Sequence, residues 1–120
     1  MMKILIVEDH SDLRALFSRQ VEALGFIPVS AKDGKEGLEK AIAEKPALIL
    51  MDMRMPGMDG WKVSQNLRAN PSTKRIPILA VTALSQQSEL DACIEAGCKS
   101  YIIKPFTLTE LWDKIQELLQ

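Results

Sequence analysis

Lys3-Ile4-Leu5-Ile6-Val7-Glu8-Asp9 is an apolar, β-branched run that stops at two carboxylates. Three later runs repeat the pattern: 48–51 stops at Asp52, 78–81 at Thr82 and 101–103 at Lys104. If these runs are neighbouring parallel strands, their carboxyl ends lie along one edge of a sheet, and three carboxylates, a hydroxyl and an ammonium collect there. A site of that composition binds a divalent cation and a phosphoryl group.

Outward from these runs, strand and helix patterns alternate to both ends of the chain. Residues 11–24 place Leu13, Leu16, Phe17, Val21 and Leu24 at helical spacing, with Gly25 positioned to stop the helix. Residues 26–30 form a second strand pattern. Asp33, with Glu36 three residues later, has the form of a capping box, opening a helix through Leu38, Ala41 and Ile42 that Pro46 prevents from continuing. Residues 48–51 make a buried strand, and Met55-Pro56-Gly57-Met58-Asp59-Gly60 is a turn-rich loop. A helix over 61–69 ends at Asn70-Pro71, and 78–81 is a fourth strand. Residues 85–96 form a helix ended by Gly97, followed by a fifth strand at Ser100–Ile103. Thr107 with Glu110 caps a last helix carrying Leu108, Leu111, Trp112, Ile115, Leu118 and Leu119. Five strand-then-helix units with right-handed crossovers give an α/β fold, a parallel sheet covered by helices on both faces. The near-continuous apolar strands suit burial on both sides.

A chain of 120 residues with 47% hydrophobic content is the size of one domain, able to bury a core without metal or disulfide staples. Its net charge of -1, with acids and bases intermixed, carries no footprint for nucleic acid or an anionic membrane. The apolar start is shorter than a signal-peptide core, and no stretch approaches the length of a membrane span, so a cytoplasmic protein is expected. Cys93 and Cys98 lack CxxC spacing, and the chain has one histidine, so they read as reduced packing residues rather than a zinc or redox site.

Glu8 and Asp9 after the first strand and Asp52 after the third approach closely in such a sheet, where carboxylates repel unless a cation or proton neutralises them. Mg²⁺ suits the set, because it takes oxygen ligands, keeps several waters and favours a few carboxylates with phosphate oxygens.

From Lys3 to Leu119 the chain resembles the receiver domain of two-component response regulators and is similar to the free-standing chemotaxis receiver. Glu8-Asp9, Asp52, the 55–60 loop, Thr82-Ala83 and Lys104-Pro105-Phe106 all occur in the family's order. The resemblance implies a flavodoxin-like fold with strand order 2-1-3-4-5, and one receiver domain over residues 1–120. It implies that Asp52 accepts a phosphoryl group from a histidine kinase or phosphotransfer protein. Mg²⁺ is then held by Asp9, Asp52 and the backbone carbonyl of Arg54, with Glu8 acting through water. Lys104 is a mobile charge on the same oxygens, and Thr82 donates its hydroxyl to the attached phosphoryl group. Ala83 leaves room for the donor, Lys104-Pro105 is a site for a cis peptide, and the 11–24 helix with Pro105-Phe106 docks the kinase. The implied reactions are only the protein's own phosphorylation and dephosphorylation, so it is not an enzyme acting on a separate substrate.

Movement of Thr82 toward the phosphoryl group would open space for Tyr101, the family's inward-turning ring; an aromatic in a short edge strand is frequently just packing, and the switch role is the favoured reading. That movement would change the face built from 85–96, Ser100–Ile103 and 107–119, with Leu90, Cys93, Tyr101, Leu111 and Lys114 as candidate contacts for a downstream protein. A second copy of the chain, on phosphorylation, is a further candidate partner. The chain runs from first strand to last helix without a linker, and a free-standing regulator is expected.

Taken singly, the strand-end acids read as helix caps or solvated loop residues, Thr82 as a cap and Lys104 as surface charge; their coincidence on one edge favours a site. His10 reads as a cap, and Trp61, Trp112 and Phe106 as packing. A phosphatase of the haloacid dehalogenase type would need a second carboxylate where Arg54 stands, and a flavin carrier a hydroxyl-rich loop where Glu8-Asp9 stands. A phosphorylation-independent scaffold is the third reading, disfavoured by the complete acid set. Positions two beyond Asp52 and Thr82 tune hydrolysis in the family, and Arg54 with Leu84 predicts slow spontaneous dephosphorylation. Leu84→Glu is expected to shorten the acyl-phosphate lifetime, followed by mass spectrometry after donor removal; an unchanged lifetime contradicts the reading.

Overall fold

Five strands and five helices alternate: β1 (Lys3–Val7), α1 (Ser11–Ala23), β2 (Ile27–Ala31), α2 (Gly34–Glu44), β3 (Leu48–Asp52), α3 (Gly60–Ala69), β4 (Ile78–Thr82), α4 (Gln87–Glu95), β5 (Ser100–Ile103) and α5 (Leu108–Leu119). The computed structural model describes residues 2–55, 59–83 and 86–120. The strands pair in parallel in the order β2-β1-β3-β4-β5, giving the expected flavodoxin-like α/β fold. Strand side chains alternate between two cores. Leu5, Val7, Ile49, Met51, Ile78 and Ala80 meet Ala41 of α2, Val63 and Leu67 of α3 and Cys93 of α4. On the other face, Ile4, Ile6, Leu48, Leu50, Leu79, Val81 and Ile102 meet Phe17 and Val21 of α1 and Leu111 and Ile115 of α5.

The element boundaries differ from the sequence patterns by a residue or two, for identifiable reasons. Strand β2 starts at Ile27 because Gly25 turns at φ 93° and the Phe26 N–H bonds back to the Val21 carbonyl, which makes Phe26 part of the helix exit. Strands β3 and β4 extend one residue past their apolar runs because ladder bonds continue: Met53 N–H donates to Val81 O at 3.2 Å and Lys104 N–H to Thr82 O at 2.7 Å. Asp33 caps α2 through the Glu36 N–H at 2.8 Å. The Glu36 carboxylate pairs with Lys40. The Thr107/Glu110 box on α5 closes in both directions. Helix α4 is described from Gln87, and Ser85 lies outside the described residues.

Leu16 is 42% exposed while Phe17 and Val21 are buried, so the apolar set of α1 splits between core and surface. Cys93 and Cys98 are free, buried thiols, as packing residues should be. Leu90, Cys93 and Leu111 are buried and do not form a docking surface; Cys93 and Leu111 point into the two cores, because the apolar stripe of an amphipathic helix faces the sheet. Exposed apolar surface in this region comes from Ile94, Ile103, Leu108 and Trp112. Among the described residues no helix is long and apolar enough to cross a membrane.

Gly60 opens α3 directly behind the end of β3, where an added Cβ would lie 2.5 Å from Met53 Cα and 2.6 Å from the Asp52 carbonyl oxygen. Backbone atoms at that range cannot rotate away. Gly60→Ala is therefore expected to cost about 1–3 kcal/mol, although alanine is the better helix former elsewhere. Urea denaturation should show a lower midpoint with unchanged slope.

Candidate functional site

Parallel register brings the polar strand ends together. Val7 lies opposite Met51, so Glu8 falls level with Asp52; Asp52 is opposite Val81, and Thr82 is opposite Ile103, which puts Thr82 one step and Lys104 two steps further along the same edge. One carboxylate oxygen from each of Glu8, Asp9 and Asp52 falls within 4.8 Å of the others. Lys104 Nζ faces this group at 3.8 Å from Asp52 Oδ1, and Oδ1 also accepts the Arg54 N–H at 3.2 Å. Glu8, Asp52 and Thr82 are buried, and Asp9 is exposed. Lys104 leads into a cis bond to Pro105.

Burial is what most perturbs Glu8. Its Oε2 accepts the His10 N–H at 3.1 Å, while Oε1 is buried with no hydrogen-bond partner among the described residues. Desolvation, with Asp52 and Asp9 alongside, pushes its carboxyl up to about 7 against the partial opposition of the His10 N–H. An orphaned buried oxygen beside two further carboxylates has room for a proton or a cation, and the oxygen-only donor set fits Mg²⁺.

Several contacts here had no clear signal in the sequence. Arg14, from the first turn of α1, donates to the backbone carbonyls of Glu8 at 2.9 Å and Asp9 at 3.3 Å, holding the acidic loop from behind. His10 caps α1 by accepting the Leu13 N–H, as its position suggested. The Arg54 guanidinium reaches Glu89 of α4 at 3.4 Å and lies 5.8 Å from the centre of the Trp61 ring. Leu84, the other residue assigned to hydrolysis, lies outside the described residues, as do Pro56, Gly57 and Met58 of the loop. Trp61 packs against the core, Phe106 stacks on Phe17 at 5.3 Å, and Trp112 packs beside Phe26. Tyr101 is half-buried, with Lys114 Nζ 5.7 Å from its ring centre.

The family description "Response regulator receiver domain" matches residues 4–116. The chain belongs to this family. Receiver domains are phosphorylation switches of two-component systems that accept a phosphoryl group from histidine kinases, with no chemistry beyond their own phosphorylation and dephosphorylation, and the Glu8/Asp9/Asp52 pocket fits the Mg²⁺ phosphoacceptor site. Among solved structures, the chain is similar to the chemotaxis protein CheY4 of Vibrio cholerae, at 28% identity and TM-score 0.94, covering 99% of both chains. It is also similar to the receiver domain of the sensor histidine kinase PA1611 of Pseudomonas aeruginosa, at 31% identity and TM-score 0.91, covering 98% of this chain and 97% of the other. That receiver holds a magnesium ion in its active-site cleft. The transcriptional regulatory protein HprR of Escherichia coli is 31% identical over 119 residues, 99% of this chain and 52% of HprR. The chain thus spans about half the length of the curated relatives it matches.

The raised Glu8 carboxyl sets a pH dependence for the metal-free receiver. The folded state holds this proton up to about pH 7, whereas the unfolded chain releases it near 4.5. The Glu8 contribution to stability is therefore complete below the lower value and is lost as pH rises through the higher one. In chelator, the denaturation midpoint should fall more steeply between about pH 5 and about pH 8 than in Glu8→Gln. Mg²⁺ should raise the wild-type midpoint more at the upper end, because metal and proton compete for the same oxygens.

Proposed function

We propose that this receiver takes a phosphoryl group from the phosphohistidine of a histidine kinase or phosphotransfer protein onto Asp52. The observation that carries the reading is the geometry around one carboxylate: Asp52, buried at the end of a central strand, with an ammonium 3.8 Å from Oδ1 and two further carboxylates at its side. Asp52 is the nucleophile of the set, since its carboxylate is the one that faces both Lys104 and the Arg54 N–H. One of its oxygens forms the new bond to phosphorus as the P–N bond of the donor breaks. The electron pair stays on the donor ring nitrogen, which takes up a proton.

A carboxylate is a weak nucleophile toward an anionic phosphoryl group, so rate comes from positioning and charge neutralisation. Lys104 supplies one positive charge on the phosphoryl oxygens, and the Thr82 hydroxyl, buried at the next strand end, donates to the product. Glu8, Asp9, Asp52 and the backbone carbonyl of Arg54 would hold Mg²⁺, which would supply neutralising charge on the same oxygens. The donor approaches over the α1 and Pro105-Phe106 side, where Leu13, Leu16, Phe17 and Phe106 line a shallow cleft of about 120 Å³. The output is a protein partner or a second copy, met by the α4-β5-α5 face, where Tyr101 and Ile103 follow the strand alternation of Thr82. Control of transcription, the role named for HprR, would pass through whatever that face binds. The acceptor chemistry is assigned to the cytoplasm, and the mixed surface charge supports neither direct nucleic-acid nor membrane contact.

With acetyl phosphate and Mg²⁺, the intact mass should rise by one phosphoryl group, and chelator or Asp52→Asn should abolish the gain. Lys104→Ala should slow it by roughly 10²-fold, the usual cost of removing one oxyanion-stabilising group. An unchanged mass in the wild type would remove Asp52 as acceptor.

A further inference from the structure

Arg54 ties the acceptor strand to the output helix. Its N–H sits 3.2 Å from Asp52 Oδ1, while its guanidinium lies against the Trp61 ring and meets Glu89 Oε1 in the first turn of α4 at 3.4 Å. Among the described residues the N-cap residue of α4, Gln86, makes no side-chain cap bond, and the first turn is held from within by Gln87 donating to Asp91 at 2.8 Å and by the buried Leu90. Among the described residues the Arg54 to Glu89 contact is a single, outward-facing one, with the Arg54 side chain 64% exposed. Pairs of this kind hold weakly.

We propose that the Arg54–Glu89 pair is a latch that restrains α4 in the unphosphorylated receiver and is released by competition from the phosphoryl group. This rests on Asp52 being the acceptor. A phosphoryl group on Asp52 brings close to two negative charges and three acceptor oxygens to a point one residue from the arginine's own backbone. The planar guanidinium fork matches phosphate oxygens bidentately and binds them more strongly than one exposed carboxylate oxygen. Arg54 then leaves Glu89 and uncovers Trp61, and the first turn of α4 loses its tie to the acceptor strand. The covalent event is thereby read out on the output face by a route independent of Thr82 and Tyr101.

Trp61 reports the latch directly, since Trp112 is the only other tryptophan and Trp112→Phe leaves one emitter. In that background, loading with beryllofluoride and Mg²⁺ is followed by fluorine NMR, and Trp61 emission is read separately. Loading should shift the emission. Glu89→Gln, a surface change checked for folding by circular dichroism, should already show most of that shift before loading. It should also bind beryllofluoride roughly two- to fivefold more tightly, the factor that one exposed ion pair represents. Normal loading of Glu89→Gln with parental emission and affinity would overturn the latch and leave Asp52 as acceptor. Absence of any fluorine adduct in the parent would overturn both.

Discussion

Three carboxylates within 4.8 Å of one another, two of them buried, cannot all stay ionised without a compensating positive charge. In this receiver the compensation is incomplete. Lys104 faces Asp52 from one side, the Arg54 and His10 N–H groups each contribute a partial charge, and Glu8 still sits near 7 with one oxygen unpartnered among the described residues. The remaining deficit in positive charge makes the pocket receptive to a divalent cation. A phosphoryl group arriving on Asp52 would meet Mg²⁺ and Lys104 together.

The fold sustains this unfavourable arrangement because the cost is spread over a rigid frame. Parallel strands end in a stepped row, and backbone bonds from Met53 to Val81 and from Lys104 to Thr82 carry the ladder past the apolar runs. Arg14 pins the carbonyls of the acidic loop, and Gly60 lets α3 start in van der Waals contact with the end of β3. Behind the site, β1, β3 and β4 are buried on both faces, so the acids cannot relieve their repulsion by moving apart without opening a core.

The same rigidity explains why a local charge change can travel. Side chains on the step alternate, so Thr82, Tyr101 and Ile103 lie on one face of the sheet while Lys104 belongs to the other. Arg54 adds a tie from the end of β3 to α4 that runs over the surface rather than through the sheet. On the proposed reading, both respond to the same phosphoryl dianion, one through a hydroxyl and one through a guanidinium, and both converge on α4 and β5.

Much of this was readable from residue order. The two-residue and 3.6-residue periods located nearly every element, the caps at Asp33 and Thr107 are short-range, and the acids, hydroxyl and lysine stand at strand ends whatever the strands' neighbours. The strand order came from resemblance and not from periodicity, because pairing is non-local. Tertiary structure alone decided the rest. It turned Leu90 and Leu111 inward, moved the start of β2 to Ile27 through the Gly25 turn, raised the Glu8 carboxyl, and sent Arg54 toward Glu89, 35 residues away. Each of these depends on which atoms crowd a side chain or withhold water from it, and those atoms come from distant parts of the chain.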